Sequence, residues 1–374
     1  MESDRVPLMD AALPVGSSSQ DRAVEVAFLD VGQGDTIVVT IAGGEAVIID
    51  CVDAELVFRY LRDRDVSRVR ALVLTHLHMD HYRGAVEFLE NCEGELGAGC
   101  DLVYFNWPWK GVPPPSELID PDGHDEAGAE DVIGEERVRV NRGLYRWVRS
   151  HTEAGVPLVT GGSGCSFPGD FKDVLELLQP RHGDQPALLA KGLNHTSAVI
   201  RVRGSGATAL LTGDLEPAAW DHLVASGGDL RADLLKFPHH GGWAGDQASV
   251  GRLLDVVSPG YVVITVGTVG QRYGHPADSV FAEIAKRSPP TWLLCTQVTG
   301  KCCGDESLRA PVVQIHESHA ATFGRPVLLH PSGCPCAGTV IARLGASAEI
   351  VQPQRAFHRD DVILPHFKGH RCRL

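Results

Sequence analysis

His76, His78, Asp80 and His81 crowd one short segment, Thr75-His76-Leu77-His78-Met79-Asp80-His81. Neutral imidazole nitrogens and carboxylate oxygens at this spacing suit zinc or another borderline divalent ion. The segment follows Ala71–Leu74, an apolar run of strand length, so the four side chains fall on a loop that can turn them toward one point. A polar surface loop is the plain alternative. Three later motifs weigh against it: Leu210-Leu211-Thr212-Gly213-Asp214, Phe237-Pro238-His239-His240-Gly241 and Tyr273-Gly274-His275-Pro276. Each sets an acid or an imidazole just beyond an apolar run or inside a glycine-rich loop.

The elements that must position these residues read as α/β. Val24–Leu29, Thr36–Ile41 and Ala46–Ile49 are short apolar runs broken by glycine turns, the pattern of an antiparallel meander. Glu55–Arg62 has helical spacing, and a helix starts at Ala85 after the histidine cluster. A second β-rich set follows, with strands at Ser197–Val202, Ala207–Leu211, Leu234–Phe237 and Tyr261–Thr265, and helices at Pro217–Ala225 and Ala248–Val257. The second half echoes the first, without a short fixed repeat. Between Trp107 and Glu136, three consecutive prolines and an acidic stretch mark an excursion from the core, and Arg137–Ser150 returns to helical spacing.

At 374 residues the chain is long for one core, and 43% hydrophobic with 22% charged residues describes a globular protein. The expected division is a flexible tail over 1–22, a main domain over 23–290 with an insertion at about 107–136, and a C-terminal Cys/His-rich appendage over 291–374. Met1–Gln20 lacks a basic start followed by an apolar stretch, and no apolar run approaches the roughly 20 residues that cross a bilayer. A cytoplasmic protein without membrane association is therefore expected. A net charge of −14 argues against non-specific coating of nucleic acid, although a small basic cleft is compatible with it.

Taken in order, the motifs resemble the metallo-β-lactamase superfamily. They are most similar to the branch containing the soluble domain of ComEC, the DNA-uptake channel of competent bacteria. Phe28-Leu29-Asp30-Val31-Gly32-Gln33-Gly34-Asp35 is the most branch-specific piece, and the resemblance runs from about Val24 to about Pro276. It implies an αββα sandwich, here with a small β-rich, cysteine-rich C-terminal appendage, and two divalent ions, zinc or manganese. By position, His76 and His78 match ligands of metal one, Asp80 and His81 match ligands of metal two, and Asp214 matches the acid that bridges both. His240 then completes metal two, chosen over His239 because the glycine turn follows it directly. Asp50 matches an acid that supports the ligands from behind, and Asp35 and Asn194 are further candidates for supporting roles. Two ions lower the pKa of a water toward neutrality and polarise the scissile bond. For a phosphodiester, His275, Lys236 and Arg272 are the candidate groups to meet developing negative charge, and Asp80 could move a proton.

Two departures stand out. The wider superfamily places a third histidine on metal one, whereas the ComEC-like branch has Asn-x-x-Ser, matched by Asn194-His195-Thr196-Ser197. His195 either restores the ligand or is a bystander. Gly241-Gly242 follows the paired histidines where the branch usually has Gly-Ser or Gly-Thr, which removes a hydroxyl that could contact phosphate.

Cys302, Cys303, Cys334 and Cys336 are candidates for an additional structural zinc, with free or redox-active thiols as the alternative. The expected function is a soluble nuclease or phosphodiesterase acting on nucleic acid or a small phosphodiester. The alternatives are a hydrolase of lactones, thioesters or other carboxylic substrates, and a metal-dependent binding protein without turnover.

Overall fold

Two mixed β-sheets pack face to face, and each owes its outline to alternation along its strands. The computed structural model describes residues 24–105, 144, 158–160, 165–181, 183–268, 274–302, 308–322 and 326–369. The expected tail, the 107–136 excursion and, apart from Leu144, the helical stretch over 137–150 lie outside these residues.

The first sheet contains β1 (Val24–Phe28), β2 (Ile37–Ile41), β3 (Glu45–Ile49), β4 (Arg68–Leu74), β5 (Val103–Phe105) and β6 (Leu158–Thr160). The second contains β7 (Leu175–Gln179), β8 (Val199–Arg203), β9 (Thr208–Leu211), β10 (Leu234–Lys236), β11 (Tyr261–Ile264) and β12 (Trp292–Cys295). Two late strands, β13 (Val340–Leu344) and β14 (Ala348–Gln352), return to the first sheet, whose order is β14-β13-β1-β2-β3-β4-β5-β6; the second runs β12-β11-β10-β9-β8-β7. In both halves an antiparallel meander, β1 to β3 and β7 to β9, passes into parallel strands. That is the echo the sequence shows.

Period-two alternation sorts the side chains into layers. Along β4, Ala71 and Val73 enter the core between the sheets, while Leu72 and Leu74 face outward. Along β9, Ala209 and Leu211 point inward and Leu210 outward. The outer face of the first sheet is covered by the helices Ala54–Asp63 and Ala85–Leu96, whose Leu56, Val57, Tyr60, Leu61 and Phe88 are buried there. Asp53 caps the first of these, its carboxylate accepting from Leu56 N at 2.9 Å. The helices Pro217–Ala225, Gln247–Val257 and Asp278–Ala285 cover the second sheet. The result is the expected αββα sandwich.

The segment over 291–374 is not a separate appendage. β12 is the edge of the second sheet, β13 pairs with β1 along its whole length, and β14 pairs with β13. The apolar runs Val340–Leu344 and Ala348–Gln352 are short, and two strands alone bury too little to stand free. They gain a core by adding to β1, with Val340, Ala342 and Leu344 joining the inter-sheet layer. No described helix is long and apolar enough to cross a membrane.

Candidate metal centre

The chemistry-bearing residues gather where parallel strands end, the usual location of sites in open α/β sheets. Asp50 follows β3, His76 to His81 follow β4, Asp214 follows β9, and His239 and His240 follow β10. Asp50 ties the first two of these loops together. It adopts a left-handed backbone, φ 58°, and its carboxylate accepts from Thr75 N, Thr75 Oγ1 and His81 Nδ1, each at 2.7 Å. A carboxylate on Nδ1 leaves His81 Nε2 pointing into the site, the arrangement common behind metal-binding histidines. His239 and His240 also take left-handed backbones, both at φ 49°. Two consecutive non-glycine residues there cost roughly 1–3 kcal/mol each. The turn directs both imidazoles at one acid.

That acid is Asp214. Its Oδ2 lies 3.2 Å from His81 Nε2, 3.4 Å from His240 Nε2, 3.8 Å from His239 Nε2 and 4.0 Å from His76 Nε2. Asp80 Oδ2 lies 3.5 Å from His240 Nε2, and His76 Nε2 is 3.1 Å from His78 Nδ1. Asp80, His81, Asp214 and His240 offer ligand atoms that all lie within 4.8 Å of one another. His240 is aimed by its other nitrogen, Nδ1, which bonds the Thr265 carbonyl at 2.7 Å. Among the described residues, His81 Nε2, His240 Nε2 and Asp214 Oδ1 are buried without a hydrogen-bond partner. Buried polar atoms are rarely left so. A divalent ion among two imidazole nitrogens and two carboxylates would satisfy them, and this donor set fits zinc or manganese alike.

The electrostatics agree. Burial works to raise the Asp214 carboxyl, but His240, His81 and His239 outweigh it and hold it well below the usual range. Burial likewise opposes charge on His240, yet Asp214 and Asp35 push it up to about 10. His81 is raised in the same way by Asp214 and Asp50. The acids thus demand positive charge at these nitrogens. Protons or a metal ion can supply it, and metal binding displaces the protons.

Lys236 stands elsewhere than expected. It shares the inward face of β10 with Leu234, and its ammonium is wholly buried behind the candidate donors. There it donates to the Gly213 carbonyl at 2.8 Å and pairs with Asp35 Oδ2 at 2.5 Å, with Asp214 Oδ1 3.6 Å away. It therefore does not face a substrate. Burial opposes its charge, and Asp35 and Asp214 more than restore it. Asp35, Asp50 and His81 form a second close group of donors, but the Lys236 ammonium already neutralises it. Asp35 also accepts from Thr265 Oγ1, so the Asp30–Asp35 loop reaches the residue that aims His240.

His275 lies beside the site, its ring 5.2 Å from that of His239, and burial, followed by His239 and His240, pushes it down to about 4. The Gly242 departure has a steric cause here: a Cβ at Gly242 would sit 2.0 Å from His275 Cε1. Glycine makes room for the imidazole. Arg272 lies outside the described residues. His195 occupies the turn Leu193–Thr196 and joins neither donor group among the described residues. Asn194 donates to Glu216 Oε1 at 3.5 Å, and His239 Nδ1 meets the same oxygen at 2.8 Å. Glu216 and Thr265 are the site residues that sequence reading misses; the nearness of Glu216 to Asp214 was the available signal.

The C-terminal cysteines form no donor group of three or more among the described residues. Cys334 and Cys336 are buried and Cys302 is half-buried, Cys336 Sγ lies 3.4 Å from His358 Nε2, and Cys303 lies outside the described residues.

The family model of the metallo-beta-lactamase superfamily matches residues 29–260, more than half of the chain. The chain belongs to that superfamily and is a metal-dependent hydrolase by fold and donor set. Competence protein ComA of Neisseria gonorrhoeae is 36% identical over 108 residues, which are 29% of this chain and 15% of that relative. The match thus spans a small part of the relative's length. Among solved structures, a protein of Parabacteroides distasonis named as a metal-dependent hydrolase has a TM-score of 0.37 at 12% identity, covering 73% of this chain and 93% of its own. The short form of human tRNase Z has a TM-score of 0.36 at 12% identity, covering 65% and 91%.

Proposed function

We propose that this protein is a dinuclear metal-dependent phosphodiesterase or nuclease. His76, His78 and Asp214 would hold metal one, and Asp80, His81, Asp214 and His240 metal two. The observation that carries the reading is the group of four donors within 4.8 Å whose inward imidazole nitrogens have no hydrogen-bond partner among the described residues. The phosphodiester class is supported by the Asp30–Asp35 motif and by the local similarity to a competence protein.

When bound, the ions supply a water nucleophile at neutral pH and polarise the scissile bond. The chain's residues do the rest. Asp214 fixes the two ligand sets about one carboxylate, and Asp50 and the Thr265 carbonyl keep His81 and His240 turned inward. Asp80 stands at the open side, its side chain 35% exposed. Burial raises its carboxyl, but His240 and His81 pull it below the usual range, so it is ionised and a weak base that can relay the water's proton without retaining it. His275, at the edge of the site beside His239, is held neutral by its surroundings and can offer a ring N–H hydrogen bond to the departing oxygen. Water adds to phosphorus, the P–O bond to the leaving alcohol breaks, and the proton passes to that alcohol.

A carboxylic ester or thioester substrate is the second reading. The burial of Lys236 favours it, because one expected partner for a phosphate is turned away.

Metal analysis of the purified protein and of Asp80→Ala and His240→Ala tests the site. It should be run beside cleavage assays on single- and double-stranded DNA, RNA, a simple phosphodiester, a lactone and a thioester. Two ions in the parent, fewer in each variant, and metal-stimulated phosphodiester cleavage are expected. Unchanged metal content in both variants would refute the ligand assignment, and turnover of the lactone or thioester alone would transfer the protein to the second reading.

A further inference from the structure

A chain of net charge −14 nonetheless gathers basic side chains around one cavity on the outer face of the second sheet. The cavity, about 730 Å³, lies at the β7 edge, and Lys172, Arg181, Arg201 and Arg203 line it. That volume falls within the roughly 300–1,000 Å³ of pockets that enclose small organic ligands. Alternation along β8 sets the face. Ile200 and Val202 enter the inter-sheet core, so Arg201 and Arg203 point the other way, toward the layer of the helix Pro217–Ala225. None of the described lining residues belongs to the candidate metal centre. Arg203 stands opposite Thr208 at the start of β9, whereas Asp214 follows the end of that strand.

The positive charge is held in place without being fully neutralised. Arg201 is 8% exposed, and its Nη1 donates to Glu176 Oε2 at 3.1 Å. Arg203 pairs with the same oxygen. One carboxylate thus serves two guanidinium groups, each of which carries five N–H donors. Arg181 Nη2 donates to the Ser226 carbonyl at 3.3 Å, a neutral partner that steadies the side chain and leaves its charge. Asp173 and Asp229 complete the charged lining, and Leu178, Leu223 and Leu230 form an apolar wall.

Arginine forks match the oxygens of a phosphate in pairs. Carboxylates accept from hydroxyl and amino groups, and an apolar wall covers a planar ring. A nucleotide carries all three features. We infer that this cavity is a second binding site, one that holds a nucleotide unit by its phosphate on Arg181, Arg201 and Arg203. Asp173 and Asp229 are there to meet its hydroxyl or amino groups. The inference does not depend on the metal assignment above. The nucleotide unit is either a free mononucleotide or one residue of a nucleic-acid strand.

Isothermal titration calorimetry with AMP, GMP, adenosine and inorganic phosphate tests the site. A single-stranded hexanucleotide is titrated into Asp80→Ala, so that cleavage does not interfere. AMP or GMP should bind once per chain, with equal affinity in the parent and in Asp80→Ala, and more weakly as salt rises. Arg181→Ala and Arg203→Ala, both at exposed positions, should each weaken binding by about 10–100-fold at an unchanged melting temperature. Arg201→Lys keeps the charge and loses the fork, and should weaken binding by about 10-fold. Inorganic phosphate should bind more weakly than the nucleotides, and adenosine should not bind. A strand that outbinds AMP and loses that margin in Arg203→Ala would make the cavity a docking point for nucleic acid. Equal affinities would make it a site for the free mononucleotide. No saturable binding of any probe up to roughly 1 mM would overturn the inference. So would binding that is lost in Asp80→Ala and kept in the arginine variants, or phosphate that binds as tightly as AMP.

Discussion

Beneath the ligands, Lys236 places one positive charge against two buried carboxylates, Asp35 and Asp214. Breaking a buried pair by removing one partner leaves an uncompensated charge, at a cost of about 3–5 kcal/mol. Lys236→Met is therefore expected to lower the stability of the metal-free protein by that amount in denaturant titrations. A loss under ~1 kcal/mol would mean that the buried pair contributes little and Lys236 is mere filling. The donors that the fold gathers, Asp80, His81, Asp214 and His240, were legible in the sequence because metal binding admits few residue types, and those types were clustered at strand ends. Lys236 was misread as a substrate contact although alternation on β10 already placed it on the inward face with Leu234. Glu216 and Thr265 were missed, and only the nearness of Glu216 to Asp214 in the chain pointed to either. An ordinary glutamate and threonine acquire their roles only through the approach of His239 and His240 in three dimensions.

The loops between elements carry the next constraint, and glycine decides two of them. Gly34 has φ 126°, and a Cβ there would sit 2.2 Å from the Asp80 carbonyl, which accepts from Asp35 N at 3.0 Å. Gly34→Ala should cost about 1–3 kcal/mol by overpacking and weaken metal binding, because the displaced backbone carries Asp80. A variant with parental melting temperature and metal affinity would show that the loop yields freely. Gly242→Ser, which restores the residue usual in the branch, should push His275 aside. Shifts of this size cost on the order of 100-fold in turnover, with metal content unchanged, and equal kcat on the best substrate would remove His275 from the chemistry. Among the elements, the long apolar runs were readable from their period. β5 and β12 were not among the runs read, although they are no shorter than β10. The helix Arg309–Thr322 buries only Val312 and His316, too few apolar positions to mark a face.

The whole molecule is closed by its late segment, whose strands the sequence showed as a β-rich appendage but whose pairing with β1, hundreds of residues earlier, no local pattern reveals. β13 covers the free edge of β1, and the same region clasps the Asp30–Asp35 loop: Gln297 Nε2 donates to Asp30 Oδ1 at 2.8 Å, and Thr339 Oγ1 accepts from Asp30 N at 3.1 Å. A chain ending at residue 290 should consequently lack a cooperative thermal transition, whereas a true appendage could be removed without harm. The clasp also has a pH signature. Burial pushes the Asp30 carboxyl up to about 7 from 3.8, against the pull of donors from Gln297, His330 and Gly32. Between those values the folded protein holds a proton that the unfolded chain has lost, so folding stability is greatest below the unfolded value and declines as pH rises toward 7. The full decline is on the order of 4 kcal/mol. Asp30→Asn keeps an amide oxygen for the donors but cannot ionise. Its stability relative to the parent should therefore improve steadily from pH 4 to pH 7 in denaturant titrations and level off above. A constant difference across that range would mean that Asp30 stays ionised in the fold, held so by the late segment that grips it.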